Sequence, residues 1–170
     1  IEKEDLSKYD AIVTGIRAYN TNDRLTIYHE KFMNYVHQGG NFIVQYNTNN
    51  RFAPISDQIG PHPFTISRNR VTDDNAEVTF IAPQHPVLNT PNVISSKDFE
   101  GWIQERGIYF ATDYDENYET VFSMHDPNEP ASEGSLIIAK HGKGNFAYTG
   151  IVFFRELPAG VPGAYKLLTN

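Results

Sequence analysis

Residues 10–15 read DAIVTG and residues 41–46 read NFIVQY, and these two apolar runs determine the architecture of the chain. Each is mostly apolar over its length, as expected of a strand buried in a parallel sheet. Between them, large side chains recur at the spacing of one helix face: Leu25, Tyr28, Phe32, Tyr35 and Val36. Strand, helix and strand in this order, joined by short loops, predict a right-handed βαβ unit with parallel strands.

A β-hairpin is predicted near the C-terminus. Residues 135–141 and 144–152 form its arms, and the sequence Gly142-Lys143-Gly144 supplies the tight turn. The chain continues with Phe153-Phe154-Arg155-Glu156, which leaves an acidic residue just past the end of a buried strand.

The overall charge argues against two classes of partner. The chain has 170 residues, the usual length of one domain, with 14 basic and 21 acidic residues and a formal charge of −7. Affinity for phosphate backbones or anionic membranes comes from clustered positive charge. No apolar run approaches the roughly 20 residues of a membrane-spanning helix. We therefore expect no nucleic-acid partner and no membrane span.

Cysteine is absent, which excludes disulfides, thiolate nucleophiles and cysteine metal ligands together. Its absence suits oxidising and reducing compartments equally, so the sequence gives no localisation. No two of the histidines lie two to five residues apart, the close spacing that zinc sites usually use. We expect no metal and no cofactor.

Polar side chains follow three of the predicted strands, where an open α/β sheet places its ligand crevice. They are Arg17, Tyr19 and Asn20 after the first strand, Asn47 and Asn49 after the second, and Arg155 and Glu156 after the last. If the loops converge, arginine, carboxylate and amide groups can bind a carbohydrate or another small polar ligand. The alternative is that Arg17 pairs with Glu156 or Asp10 and only braces the loops, because arginine–carboxylate pairs are common structural devices.

Two further segments admit two interpretations each. Glu105 and Arg106, beside Trp102, either line the same crevice or form a covering segment. The acidic, tyrosine-rich stretch that begins at Tyr109 either binds calcium or stacks on sugar rings, since tyrosine offers a flat face with a polar edge, or it is a solvated loop.

Three segments together resemble the glutamine-amidotransferase-like superfamily, in particular its catalytically silent ThuA-like branch. They read YDAIVTGIRAYN (9–20), GGNFIVQYN (39–47) and GKGNFAYTGIVFFRELPAG (142–160). The loop His85-Pro86-Val87 also resembles that branch. The chain is similar, over nearly its whole length, to the amidotransferase-like region attached to some bacterial PIG-L (LmbE-like) deacetylases.

The resemblance implies an α/β fold, a flavodoxin-like three-layer sandwich with a mostly parallel sheet and a C-terminal β-hairpin. It also implies that an initial strand and helix lie upstream of residue 1. Residues 1–170 are thus expected to be a single amidotransferase-like domain, an N-terminally truncated fragment of a longer protein.

The departures from the family pattern concern the reactive groups. Active members resemble one another in a Cys–His–Glu triad with a Phe-His-Pro-Glu segment, and the matching run here puts Phe154 where the base would be. The Gly-x-Cys-x-Gly elbow of those members corresponds to residues 46–49, which read YNTN. The resemblance therefore implies a domain without amidotransferase activity.

We expect a non-catalytic accessory module that recognises a carbohydrate or polar ligand, or that assists a linked deacetylase. One alternative is a hydrolase that uses Glu156 or an acidic loop with a metal not evident from spacing. Another is a structural oligomerisation domain, for which apolar surface left bare beside residues 10–15 would predict a homodimer.

Overall fold

A computed structural model describes residues 1–49, 55 and 58–170. The strands are β1 (Ala11–Val13), β2 (Asn41–Gln45), β3 (Thr65–Ile66), β4 (Arg70–Val71), β5 (Val78–Phe80), β6 (Gly107–Ile108), β7 (Ala111–Thr112), β8 (Tyr118–Thr120), β9 (Phe122–Met124), β10 (Leu136–His141) and β11 (Gly144–Thr149). The helices are α1 (Ala18–Thr21), α2 (Arg24–Ile27), α3 (His29–Gln38), α4 (Phe153–Glu156) and α5 (Pro162–Thr169). Short 3-10 turns span Leu6–Lys8, Pro86–Leu88 and Ser96–Phe99.

The predicted βαβ unit is confirmed. β1 and β2 pair in parallel, with Ile12 opposite Phe42, and helices connect them. The predicted helix face is divided at Tyr28, which separates α2 from α3. Gly39 follows the last residue of α3 and terminates the helix, with a φ of 126° that favours glycine.

The predicted hairpin is confirmed as well, with β10 and β11 antiparallel. β11 lies parallel to β2, which places the hairpin in the same sheet as the βαβ unit. The sheet has the order β1-β2-β11-β10-β8.

The prediction of a flavodoxin-like sandwich with a mostly parallel sheet is wrong. Two pairings in the central sheet are parallel and two are antiparallel, which makes it a mixed sheet. After β2 the described chain adds no further βαβ unit; instead β3–β7, β4–β6 and β5–β9 form two-stranded antiparallel sheets. The physical reason is the lack of crossover helices, because parallel neighbours are usually joined by a helix that returns the chain across the sheet. The described residues of 58–134 contain 3-10 turns but no α-helix.

Two apolar clusters form the core. One lies between α3 and the central sheet, where the rings of Phe32 and Phe42 stack with centroids 4.6 Å apart. The other packs α5 and the middle of the chain around Phe99, Trp102 and Phe122. Each cluster packs on one face of the central sheet. The two clusters together position the loops that follow β1, β2 and β11.

Two apolar surfaces of the sheet remain accessible. The sheet-face groove, of about 500 Å³, is lined by Ile43, Ile138, Ala147 and Leu168 among others. The β1-edge groove, of about 440 Å³, is lined by Ile12, Val13, Leu25 and Phe32 among others. In the described part of the chain no helix has the length and apolar character needed to cross a membrane.

Candidate functional site

The loops after β1 and β2 meet at one edge of the sheet. The backbone N–H of Arg17 donates to the Tyr46 carbonyl at 2.7 Å. The backbone N–H of Tyr19 donates to Oδ1 of Asn47 at 2.9 Å, and Asn47 is fully buried. Parallel strands with their carboxyl ends at one edge bring these loops together, as the sequence predicted.

Further hydrogen bonds lock the two loops. Nδ2 of Asn20 donates to the Thr48 carbonyl and Oδ1 of Asn20 accepts the Thr48 N–H, both at 2.8 Å. The Tyr19 side chain is buried, and this burial raises its pKa. The amides of Asn20 and Asn47 are thus used inside the protein and hold Arg17 in position. The side chain of Asn49 lies apart from this pair, with Nδ2 donating to the Ile66 carbonyl at 3.4 Å.

Arg17 is held in an unusual backbone conformation. Its φ of 56° and ψ of 22° are left-handed, which costs a non-glycine residue about 1–2 kcal/mol. Its N–H is bonded to Tyr46, and its carbonyl accepts the Asn20 N–H at 3.0 Å. The side chain is exposed. Among the described residues Arg17 forms no ion pair, so the predicted alternative of pairing with Glu156 or Asp10 is not observed there.

Aromatic rings lie beside Arg17. The Tyr46 ring stacks on Tyr109 with centroids 5.6 Å apart and planes at 16°, and it lies 5.3 Å from the Phe154 ring. Tyr109 is also left-handed, with φ of 55°, and its carbonyl accepts the hydroxyl of Tyr148 at 2.7 Å. The loop after β11 therefore joins the loops after β1 and β2 through Phe154.

A buried carboxylate links this loop to the middle of the chain. The side chain of Glu105 is 3% exposed, and its Oε1 accepts from Nε of Arg155 at 3.0 Å and forms an ion pair with Nη2 at 2.9 Å. Its Oε2 accepts from Nη2 of Arg70 at 2.8 Å. The Arg155 guanidinium also contacts Gln104 and lies 5.0 Å from the centroid of the Phe154 ring.

Glu156 points into the protein. It is fully buried, and its carboxylate accepts the backbone N–H of Ile103 at 3.1 and 3.3 Å. Burial raises its pKa, while the Ile103 hydrogen bond and the charge of Arg106 lower it.

Glu105 and Arg106, for which the sequence left two interpretations open, have different surroundings. Glu105 is buried beneath the loops and pairs with Arg155 and Arg70. Arg106 is buried, with its guanidinium 5.7 Å from the ring centroids of both Phe99 and Trp102 and its Nε donating to the Ala76 carbonyl at 3.0 Å, so it belongs to the covering segment.

We refer to this assembly as the Tyr46 site, composed of Arg17, Tyr46, Glu105, Tyr109, Phe154 and Arg155. Tyr46 and Glu105 are buried, Tyr109, Phe154 and Arg155 are half-buried, and Arg17 is exposed. Burial raises the pKa of Tyr46, and the positive charges of Arg17 and Arg155 oppose that shift. The site therefore presents two half-buried aromatic rings and guanidinium donors at the surface. The described residues contain no group of three or more histidine or acidic side chains placed to hold a metal ion.

Sequence reasoning identified Arg17 and Arg155 but missed Tyr46 as a member of the site. Its signal was present, since Tyr46 ends the run NFIVQY and is the first residue beyond β2. Tyr109 was noted only as part of a tyrosine-rich loop, and Phe154 only as the residue standing where a base would be. The contact between Tyr46 and Phe154 depends on packing between distant segments, which no local pattern indicates.

No protein-family model and no curated protein matches this chain. Among solved structures, it is similar to the cytoplasmic protein STM3548 from Salmonella typhimurium, with a TM-score of 0.54 and 15% identity over 96% of this chain and 70% of that one. It is also similar to a beta-galactosidase from Rahnella sp. R3, with a TM-score of 0.50 and 14% identity over 94% of this chain and 24% of that one. At these identities the likeness concerns the fold alone.

Proposed function

We propose that this domain is a non-catalytic binding module, related to the ThuA-like amidotransferase branch, that recognises a carbohydrate or another small polar ligand at the Tyr46 site. The observation that carries the proposal is Arg17: an exposed residue in a costly left-handed backbone conformation, bonded through its N–H to Tyr46, whose ring stacks on Tyr109. Strained backbone persists where the surrounding structure enforces it, and such positions cluster at ligand sites.

The chemistry of the site favours binding over catalysis. The carboxamide of Asn47 and the carboxylate of Glu156 are buried and hydrogen-bonded within the protein. Phe154 packs against Tyr46 at the position where the resemblance implies a catalytic base. The groups that reach the surface are the half-buried rings of Tyr109 and Phe154 and the exposed Arg17, which can orient a polyhydroxylated ligand through stacking and directional hydrogen bonds.

Calorimetric titration tests this proposal. The ligand panel begins with glucose, galactose and their uronic acids, and the likeness to a beta-galactosidase, although one of fold alone, is a reason to start with sugars. The variant Arg17→Asn removes the guanidinium while keeping a side chain that tolerates the left-handed conformation. Arg24→Asn, which removes an exposed arginine of α2, is the matched control.

We expect Arg17→Asn to weaken binding about tenfold at an unchanged melting temperature, and Arg24→Asn to leave the affinity unaltered. Unchanged affinity in Arg17→Asn together with a lower melting temperature would instead support a bracing role for Arg17.

The resemblance also associates regions of this type with PIG-L deacetylases. We propose that ligand recognition here assists such an enzyme. The test compares deacetylation of an N-acetylated sugar substrate by the enzyme linked to this domain and by the enzyme alone. A lower KM at unchanged kcat with the domain supports the proposal, and equal values of both constants contradict it.

A second candidate function, homodimerisation, is favoured by the exposed edge of β1. Among the described residues β1 pairs only with β2, and Tyr9 and Val13 beside this edge are 48% and 47% exposed. The run Ala11–Val13 has neither proline nor lysine to protect the edge. A second copy related by a twofold axis can pair its β1 antiparallel to the first, because such an interface is self-complementary.

Light scattering coupled to size exclusion tests the dimer. Val13→Lys places a charge on the edge, whereas Ile27→Lys alters an exposed residue of α2 as the control. A wild-type dimer that only Val13→Lys converts to a monomer supports this function, and a wild-type monomer at high concentration rejects it. The hydrolase alternative has no comparable support in the described part of the chain.

A further inference from the structure

Among the described residues, positive charge exceeds negative charge around Tyr46, although the whole chain carries a net charge of −7. Two guanidinium groups, those of Arg17 and Arg155, act on the Tyr46 phenol, against the single carboxylate of Glu105. That carboxylate is also shared with Arg70 at 2.8 Å. The carboxylate of Glu105 is therefore neutralised by its arginine partners, and the described residues of the site keep a net positive charge.

Other acidic groups of the neighbourhood do not cancel this charge. Asp74 accepts the backbone N–H of Gln104 at 3.1 Å, and Glu156 accepts that of Ile103. Neither carboxylate is among the charges that act on the Tyr46 phenol.

Within the described ranges, Arg17 is the cation of the site whose side chain has unused hydrogen-bonding capacity. Arg155 already donates from Nε to Glu105 and forms an ion pair with it through Nη2. The Arg17 side chain is exposed, and the described residues supply it with no carboxylate. Glycine or asparagine would adopt its left-handed backbone at lower cost, so fold stability gives no reason for an arginine at this position.

The half-buried rings of Tyr109 and Phe154 set the shape of the ligand. They pack on the buried Tyr46 ring, with centroids 5.6 and 5.3 Å from it. A pyranose ring has an apolar face that packs on aromatic surface, and a carboxylate at its edge matches the planar fork of a guanidinium.

We propose that the Tyr46 site selects an acidic sugar, a pyranose that carries a carboxylate, over the neutral sugar of the same shape. This inference rests on the proposed binding function and adds the chemical class of the ligand.

The experiment is a set of calorimetric titrations of the intact chain with sodium glucuronate, glucose and sodium acetate at constant ionic strength. Glucuronate and glucose differ in the carboxylate, and acetate supplies the charge without the ring. We expect glucuronate to bind about tenfold more tightly than glucose and than acetate, as one charge-assisted contact allows. The preference for glucuronate over glucose is lost in Arg17→Asn and partly kept in Arg17→Lys, while Arg24→Asn retains it in full.

The outcomes separate this inference from the proposed function. Equal affinities for glucuronate and glucose, or an acid preference that survives in Arg17→Asn, overturn the inference and leave a sugar-binding module. Acetate binding as tightly as glucuronate overturns the acidic-sugar class, because the ring then contributes nothing. Failure of all three probes to bind overturns the inference together with the sugar-binding function on which it rests.

Discussion

The buried carboxamide of Asn47 accepts the backbone N–H of Tyr19 at 2.9 Å and so joins the loop after β1 to the loop after β2. The same side chain donates from Nδ2 to the Gln45 carbonyl at 3.0 Å. A second hydrogen bond runs from the Arg17 N–H to the Tyr46 carbonyl. Together these bonds fix the position of the Arg17 backbone relative to Tyr46.

The first prediction concerns this bridge. Asn47→Ala leaves the Tyr19 N–H and the Gln45 carbonyl without their partner, and an unsatisfied buried group costs about 1–3 kcal/mol. We expect the free energy of unfolding to fall by about 2 kcal/mol in urea denaturation. Asn145→Ala, which removes an exposed amide bonded to Asn41, is the control and should change stability by less than about 0.5 kcal/mol. A similar small effect for both variants would show that Asn47 does not carry the bridge.

The second prediction concerns Glu105. Glu105→Gln keeps the shape but removes the charge that Arg70 and Arg155 share, so we expect a loss of about 1–3 kcal/mol in the free energy of unfolding. Arg70→Ala should cost less than about 1 kcal/mol, because Arg70 is half exposed and Glu105 keeps its bonds to Arg155. Chemical denaturation of both variants checks the order. A larger loss for Arg70→Ala than for Glu105→Gln would show that the Glu105–Arg155 pair is not the main stabilising contact.

The third prediction concerns acid sensitivity. Burial lowers the pKa of His141, and the charges of His37 and His62 lower it further. Burial also lowers the pKa of His29, with His141 adding to the shift and Glu30 opposing it. A histidine whose pKa is lower in the folded state contributes stability that is complete above the unfolded value of 6.5 and is lost as the pH falls through the folded value.

We therefore expect the free energy of unfolding to decrease between about pH 7.5 and about pH 5.5, a range above the titration of ordinary carboxylates. The raised pKa of Glu156 acts in the opposite direction. His141→Gln should flatten the curve, since it removes one of these histidines and its effect on His29. His125→Gln, in an exposed position, is the control. A curve equally steep in wild type and His141→Gln would assign the acid sensitivity to other groups.

The fourth prediction concerns the packing of α5 against the Ser96–Phe99 turn. A Cβ added to Gly163 would lie 1.7 Å from the Asp98 carbonyl oxygen, so the helix and the Ser96–Phe99 turn approach too closely for any side chain. We expect Gly163→Ala to cost about 3 kcal/mol, because backbone must move. Gly15→Ala is the control, since nothing lies within 4 Å of its added Cβ. Thermal unfolding measures both, and equal melting temperatures would contradict this close approach.

The parts of the fold predicted from sequence are those with local signals. The strands around Ile12 and Phe42 and the intervening helix follow from apolar periodicity, and the hairpin follows from the turn at residues 142–144. The flavodoxin-like sandwich with a mostly parallel sheet was wrong, because it was carried over from a resemblance. Strand pairings such as that of Thr65 with Thr112 join residues far apart in the chain, and no short-range sequence pattern predicts them.

The candidate site was likewise predictable only where its residues follow a local pattern. Arg17 and Arg155 were found because polar residues directly after strands lie at the ligand edge of an open sheet. The buried orientation of Glu156 was not predictable, because it depends on the Ile103 N–H, which tertiary packing brings to the carboxylate. The role of Glu105 likewise depends on arginines from two distant segments.

The most direct test of the binding account is a map of backbone amide chemical shifts during titration with sodium glucuronate. We predict saturable shifts concentrated at Arg17, Tyr46 and Tyr109. Shifts concentrated instead at Ile43 and Ala147 in the sheet-face groove, or the absence of any saturable shift, would contradict it.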